Sequence, residues 1–525
     1  MIINVLKFNE KLFFFTVLLL TVVVRLRYAN APFERDEGEY AYAAWQILNN
    51  GIPYADFYNM KLPGVYYMYA LVFKFSGFSV AAIRVALLGI NLFSAFFIFK
   101  IGQRFEGGWM AAGVYLLLSL SYEGQGVMAN CEHFVVFFAT TGLYFLSQPT
   151  HFFTVLWSGV LLGVALLMKQ HAAVFGLIAV LYILKNGIME KKIQPTIFAI
   201  ISFSIGYITP LSILGFFMIQ KGIWDNFYFL TVEYASAYSS LLKPSLKYIS
   251  NFKFIFADNM GFWLLFFTTL FFIFKKKDPF NPLLHTSKNK ITGSDLVIAF
   301  ALSFLAVCPG WHFRPHYFQL IFPFAALVIA YGWAVWDFNI HFHAFKIPKN
   351  GIIGLSLIIS LISQWDYFFI KTPAQLMRDL YQNEFFNDTY AIGQYLRQHT
   401  APTDKIGIYG NEPQMWFYTQ RRAASAYLYT YPLLETQPFA AQMTEQYIAE
   451  TEKSRPEWLI YSYISKGESN QETLKRLENW FADFSKKYVI QGVLYQKTKT
   501  ESDMQWGYSP IDTNRKVLMV ILKKE

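Results

Sequence analysis

Long apolar runs, interrupted by short groups of charged or amide side chains, fill most of the first 370 residues. Strict period-two alternation is absent from these runs, which argues against a membrane β-barrel. Many of them approach the ~20 apolar residues that let a helix cross a bilayer with its backbone hydrogen bonds satisfied internally. The pattern predicts helical spans near 12–29, 80–101, 108–122, 133–147, 151–168, 171–184, 195–219, 255–274, 294–310, 317–336 and 350–369, eleven in all. Several of these are short, so their ends are soft.

Two apolar stretches fit poorly as spans. KLPGVYYMYALVFKFSG, residues 61–77, is short, carries Lys74, and has Pro63 where a helix would start. AYAAWQILNNG, residues 41–51, ends in a helix-stopping Asn–Gly. Both are expected to lie at the membrane interface, as helices within a first outer loop over 31–79. From residue 370 onward the pattern changes. β-like runs such as DKIGIYGN at 404 and EWLIYSYI at 457 alternate with helical ones such as QETLKRLENWFADF. The chain is therefore expected to be an α-helical polytopic membrane protein, with a membrane core over 1–369 and a small C-terminal α/β domain over 370–525. No repeat of 20–50 residues organises it.

Composition supports the membrane class: 54% of residues are hydrophobic, 15% are charged, and the mean hydropathy is +0.29. The net charge of +10 resembles a nucleic-acid footprint until it is divided along the chain. Acidic and basic residues balance from 365 onward, so the whole excess lies in the membrane part and no nucleic-acid partner is implied. With the first helix retained and its N-terminus in the cytoplasm, Lys100 and Arg104, the KNGIMEKK loop at 185, the loops over 275–290, and Lys346 with Lys349 all fall on the cytoplasmic side, as the positive-inside rule expects. An odd number of spans then puts the C-terminal domain outside the cytoplasmic membrane. Cys131 and Cys308 offer neither metal spacing nor a disulfide framework and are expected to be unpaired.

The same threading puts five polar clusters on the outer side, each at or beside a helix end: RDEGEY at 35, NMKLPG at 59, NCEHF at 130, MKQH at 168 and WHFRPHYF at 311. Ionisable groups at membrane depth are costly and usually line a pathway or a site. Each cluster also has a plainer explanation. Arg35, Asp36, Glu37 and Glu39 could form a solvated loop, and Lys61 could snorkel to headgroups. Glu132 and His133 could cap a helix, while Lys169 to His171 and His312 to His316 could be interfacial turns. Asp36, Glu37, Glu132, His133, His312 and His316 include the ligand types for a divalent metal, but without CxxC spacing. Carboxylates that activate a hydroxyl or hold a cation, beside Lys and Arg that hold a phosphate, are the parts of a transfer from a phosphate leaving group.

FERDEGEYAY, followed about 20 residues later by NMKLPG, an interfacial helix, a multi-span core and an outer C-terminal domain, resembles the GT-C glycosyltransferases of the ArnT-like and protein O-mannosyltransferase-like group. The resemblance covers residues 1 to about 365. It implies transfer of a sugar from a polyprenyl-phosphate donor to a lipid, glycan or protein acceptor on the outer face of the membrane. Residue by residue, it implies that Asp36 activates the acceptor with support from Glu37, and that Lys61 contacts the carrier phosphate. Arg84 and Glu132 stand where the group tends to carry an arginine and a second-loop acid. The group often reads Lys-Pro-Pro where this chain reads Lys-Leu-Pro. The remaining candidates are Arg84, Lys169, Arg314 and His316 for the carrier phosphate, and Glu39, Glu132 and His133 for the acceptor or a metal. The rival expectations are a transporter or flippase of a lipid-linked sugar, a glycan polymerase or ligase using a diphosphate-linked donor, and a sensor or scaffold whose outer domain does the work.

Overall fold

The computed structural model describes residues 9–149, 151–240, 250–275, 291–336, 340–342, 345–347, 349–382, 385–463, 469–498, 501–507 and 510–525. The basic loop expected over 275–290 lies outside the described residues except for Lys275. Contacts divide the chain into two compact units. One takes the described residues of 1–29, 84–217 and 243–371, the other those of 30–83, 218–242 and 372–525. The first outer loop, expected within the membrane core, thus shares a unit with the C-terminal region.

The first unit is almost wholly helical, and each of the eleven predicted spans contains a helix. By length and composition, three are able to cross a membrane among the described residues: Val80–Phe105 with its final 3-10 turn, Gln170–Glu190 and Ile193–Gln220. A fourth candidate, Ser250–Asp258 with Met260–Lys275, is bent by 102° at Asn259. Gly108–Ser119, Cys131–Leu146, Phe152–Met168, Gly293–Leu305, Phe322–Val335 and Lys349–Ser363 are apolar but shorter. The first helix, Glu10–Arg27, carries Glu10, Lys11, Arg25 and Arg27 near its ends. Gly108–Ser119 is buried at every position except Trp109, and Phe322–Val335 is buried over most of its length. A helix that is apolar all round belongs in such a core. A two-stranded ribbon, β1 (Ile340–Phe342) with β2 (Phe345–Ile347), completes the unit.

Phe152–Met168 crosses Ile193–Gln220 with the two backbones nearly touching. A Cβ on Gly159 would stand 2.3 Å from the Phe203 carbonyl oxygen, and one on Gly206 would stand 2.2 Å from that of Leu156. Gly163, four residues after Gly159, faces the Tyr207 carbonyl at 2.4 Å. Ser202 Oγ donates to the Phe152 carbonyl at 3.0 Å across the same crossing. Small residues spaced by four let helices approach closely enough to replace the missing hydrophobic drive in lipid by van der Waals contact.

In the second unit a six-stranded sheet is built from β3 (Lys405–Tyr409), β4 (Arg422–Ala423), β5 (Trp458–Ser462), β6 (Tyr488–Gln496), β7 (Ser502–Trp506) and β8 (Val517–Lys524), in the order β4-β3-β5-β8-β6-β7. β3 runs parallel to β4 and β5, and the remaining pairs are antiparallel. The first-loop helices Arg35–Leu48 and Gly64–Ser76 pack within this unit. Gly38 explains one letter of RDEGEY: a Cβ there would stand 2.3 Å from Cβ and 2.6 Å from Cα of Gln414, so only glycine lets the two helices cross at this distance. The Phe33 amide donates to the Tyr418 hydroxyl at 2.7 Å, and the Tyr58 amide donates to the Ala426 carbonyl at 2.7 Å.

Replacing Gly159 by Val should force the helix crossing apart and cost about 1–3 kcal/mol, the usual range for overpacking. Thermal unfolding of the detergent-solubilised protein should show a lower midpoint, while Val160→Ala on the same helix should shift it less. Equal midpoints for Gly159→Val and the unmodified protein would refute the close crossing.

Candidate active site

PFERDEGEY becomes the start of a helix because Glu34 caps it. The Glu34 carboxylate accepts from the Glu37 amide at 2.9 Å, and the Glu37 carboxylate accepts from the Glu34 amide at 3.3 Å, a reciprocal capping box. Burial, with Asp36 and Glu37 close by, raises the Glu34 carboxyl to about 8. Once the segment is helical, its acids separate. Asp36 and Glu39, three residues apart, share a face with Tyr40, whereas Glu37 points elsewhere and is fully buried at its own helix N-terminus. Asp36 thus shares its face with Glu39 and not with Glu37. The physical reason is helical periodicity, which turns adjacent side chains about 100° apart.

Lys61 closes this face. Its Nζ donates to Asp36 Oδ1 at 3.0 Å and to Glu39 Oε2 at 2.7 Å, and lies 4.7 Å from the Tyr40 ring centroid. The loop holds its backbone as well: the Lys61 amide donates to Asn59 Oδ1 at 3.0 Å, and the Lys61 carbonyl accepts from the Tyr54 hydroxyl at 2.7 Å. Glu39 also accepts from the Tyr66 hydroxyl on one oxygen and from the Tyr429 hydroxyl, at 2.7 Å, on the other. The two carboxylates differ in access: the Glu39 side chain is 0% exposed, that of Asp36 30%, and the Lys61 side chain 24%. Burial works against the Lys61 ammonium, but Asp36 and Glu39 outweigh it and hold its pKa well above the usual lysine range. Burial and the nearby Glu39 likewise push the hydroxyls of Tyr66 and Tyr429 well up, so both remain donors.

A second cluster forms in the helical unit. Glu132, in the first turn of Cys131–Leu146, is fully buried and accepts from Lys169 Nζ. His316 Nε2 stands 3.9 Å from the same Glu132 oxygen, and its Nδ1 is 3.1 Å from Gln125 Oε1. The Lys169 ammonium lies 3.8 Å from the Tyr317 ring centroid, and the His171 ring packs edge-on against the same ring. Three of the expected residues, Glu132, Lys169 and His316, thus come together. The loop before Glu132 is held by buried cations and amides: Arg25 donates to the Gly126 carbonyl at 2.7 Å, Gln319 to that of Gly124 at 3.0 Å, and Arg84 to that of Val127 at 2.8 Å. Arg84, expected at a carrier phosphate, is 2% exposed and braces this loop. His133 is buried, and neither ring nitrogen has a hydrogen-bond partner among the described residues; Asn130 is in the same position. Arg314 is exposed on the turn before His316. His312 is half-buried, and burial together with Arg314 lowers its pKa. Cys131 and Cys308 form no disulfide with each other, and the Cys131 thiol donates to Glu132 Oε2 at 3.5 Å. Among the described residues, no three His, Cys, Asp or Glu side chains gather into a candidate metal site.

Sequence reasoning missed Tyr66 and Tyr429 as partners of Glu39. Tyr429 lies 390 residues away along the chain and carries no local signal. The place of Glu39 was readable, because Glu34-x-x-Glu37 is a capping pattern that makes 36 and 39 neighbours.

The family model for dolichyl-phosphate-mannose-protein mannosyltransferases matches residues 61–213. No curated protein matches the sequence. Among solved structures, the chain is similar to ArnT from Cupriavidus metallidurans bound to undecaprenyl phosphate, with a TM-score of 0.60, 12% identity, and 97% of each chain covered. It is also similar to the oligosaccharyltransferase AglB from Archaeoglobus fulgidus in complex with an inhibitory peptide and a dolichol-phosphate, with a TM-score of 0.51, 11% identity, and coverage of 97% of this chain and 75% of that one. The chain has the GT-C fold.

The raised pKa of Lys61 gives a pH test. A lysine whose folded pKa lies above its unfolded one stabilises the fold below the unfolded value, near 10.4, and loses that contribution as the pH rises through the folded value. Lys61 should therefore resist amine-directed labelling up to pH values where exposed lysines are fully modified. Glu39→Gln should move the onset of labelling, read by peptide mass spectrometry, to lower pH. Labelling of Lys61 in step with surface lysines in the unmodified protein would contradict the ion-pair assignment.

Proposed function

We propose that this protein is a glycosyltransferase that moves a sugar from a polyprenyl-phosphate donor to a lipid, glycan or protein acceptor on the outer face of the cytoplasmic membrane. The observation that carries this reading is Lys61 clamped between a half-exposed and a fully buried carboxylate on one face of the first-loop helix. The fold, the matching mannosyltransferase family model, and the undecaprenyl phosphate and dolichol-phosphate in the two similar structures support it.

The proposed chemistry follows from the unequal anchoring of the two acids. Glu39 is buried and accepts from two tyrosines, so it keeps its hold on Lys61. Asp36 is the more accessible partner and exchanges when a carrier phosphate approaches. As the bond between the anomeric carbon and the phosphate oxygen breaks, negative charge grows on the phosphate and positive charge on the sugar ring. The Lys61 ammonium, already fixed in place, stabilises the developing phosphate charge with little reorganisation. Asp36, released from its share of Lys61, takes the proton of the acceptor hydroxyl as that oxygen bonds to the anomeric carbon from the opposite face, inverting it. An acceptor that is itself an ionised phosphate needs no base, and Asp36 then positions it. Within the helical unit, Lys169, Arg314 and His316 are proposed to contact a phosphate, and Glu132 and His133 an acceptor or a divalent metal. Glu37 supports Asp36 by fixing the helix start.

The alternative reading is a donor linked through a diphosphate. Thin-layer analysis of the lipid product, monophosphate against diphosphate, separates the two.

Asp36→Asn should lower transfer from a polyprenyl-phosphate sugar by roughly 10²–10⁴-fold, the range for loss of a general base, with folding retained. Lys61→Ala should lower it by about 10²–10³-fold, as for loss of one preorganised charge partner. Wild-type turnover in both purified variants would overturn the assignment.

A further inference from the structure

The helical unit contains a cavity of about 320 Å³ between the helices Cys131–Leu146, Ala173–Glu190, Gly293–Leu305 and Phe322–Val335. It is separate from the cluster around Glu132. On Cys131–Leu146 it begins at Thr140, eight residues beyond Glu132, or ~12 Å at 1.5 Å per residue, and it continues to the far end of that helix. On Ala173–Glu190 it likewise runs from Ile178 away from Lys169. Its walls are apolar, among them Ile178, Leu181, Ala299, Leu302 and Phe324. Leu181 and Ile298 are exposed, at 41% and 53%, so the slot opens on the apolar outer surface of the unit.

One end of the slot is charged. Lys185 Nζ donates to both oxygens of Asp295, and both residues line the cavity. Asp295 is fixed at the start of its helix by a capping box with Thr292, whose amide and hydroxyl donate to it at 2.9 and 2.8 Å. The Lys185 side chain is 33% exposed and that of Asp295 14%, so a headgroup can reach the pair.

We infer that this slot binds one chain of a zwitterionic, amine-bearing glycerophospholipid, with its headgroup on Lys185 and Asp295. The apolar walls take the acyl chain, and the volume lies at the lower end of the ~300–1,000 Å³ usual for small-molecule pockets. The charge pattern selects the headgroup. A purely anionic headgroup that reaches Lys185 also meets the Asp295 carboxylate, which repels it. A headgroup with both charges places its phosphate on Lys185 and its ammonium on Asp295, leaving neither charge unpaired. Bound there, the lipid fills space among four helices at the end of Cys131–Leu146 opposite the Glu132 cluster.

The test is native mass spectrometry of the full-length, delipidated protein incubated with equimolar phosphatidylethanolamine, phosphatidylglycerol and a polyprenyl phosphate. One retained phosphatidylethanolamine is expected, preferred over phosphatidylglycerol by about tenfold or more, equivalent to 1.4 kcal/mol. Ala299→Phe, which fills the slot, should abolish this retention. The double variant Lys185→Gln with Asp295→Asn should keep the slot and lose the preference, so that the two phospholipids are retained equally. Equal retention by the unmodified protein, displacement of phosphatidylethanolamine by the polyprenyl phosphate, or an unchanged preference in the double variant would each overturn the inference. The double variant decides the matter even if Ala299→Phe does not fold.

Discussion

Glu39 is a fully buried carboxylate, and the arrangement around residues 31–79 depends on compensating it. Taking such a charge out of water costs several kcal/mol unless it is paired and its lone pairs are filled. Lys61 supplies the countercharge, and Tyr66 and Tyr429 supply donors to the two oxygens. Glu39 and these partners come from three separate stretches of chain, so the helix Arg35–Leu48, the stretch from Lys61 into the helix Gly64–Ser76 and the segment around Tyr429 must be in register for the charge to be tolerated. A network of this kind is favourable only when complete, and the same completeness fixes Lys61 and Asp36.

The helical unit solves a similar problem differently. Glu132 is buried at a helix N-terminus, where the helix dipole favours it, and is neutralised by Lys169 with His316 alongside. The loop before it has little regular structure, so its carbonyls need donors, and Arg25, Arg84 and Gln319 provide them. Buried arginines serve this purpose well because the guanidinium offers several donors in a fixed plane. The outcome is two rigid charge clusters, each built from one basic side chain and at least one fully buried acid.

Much of the architecture was legible in the pattern of apolar runs. All eleven predicted spans contain helix, because a run of apolar residues without strand-like alternation has little other way to satisfy its backbone in lipid. The change near residue 370 and the β-like runs at 404 and 457 correspond to β3 and β5. Span lengths were less legible. The 102° bend at Asn259 and the 12-residue length of the Gly108–Ser119 helix are not visible in the apolar pattern.

The sequence by itself determined the chemistry on offer: Asp36, Glu39 and Lys61 near one another in the chain, Glu132 and Lys169 at helix ends, and glycines spaced by four at 159 and 163. Only the tertiary structure decided which of these groups meet. Helical periodicity joined Asp36 to Glu39 and turned Glu37 back onto its own cap. Long-range packing brought Tyr429 to Glu39, gave Arg84 to a backbone carbonyl, and paired Lys185 with Asp295 across 110 residues. The reason is that short-range spacing sets which face a residue occupies. What that face meets is set by the burial of apolar area and by the cost of leaving a buried charge or donor without a partner.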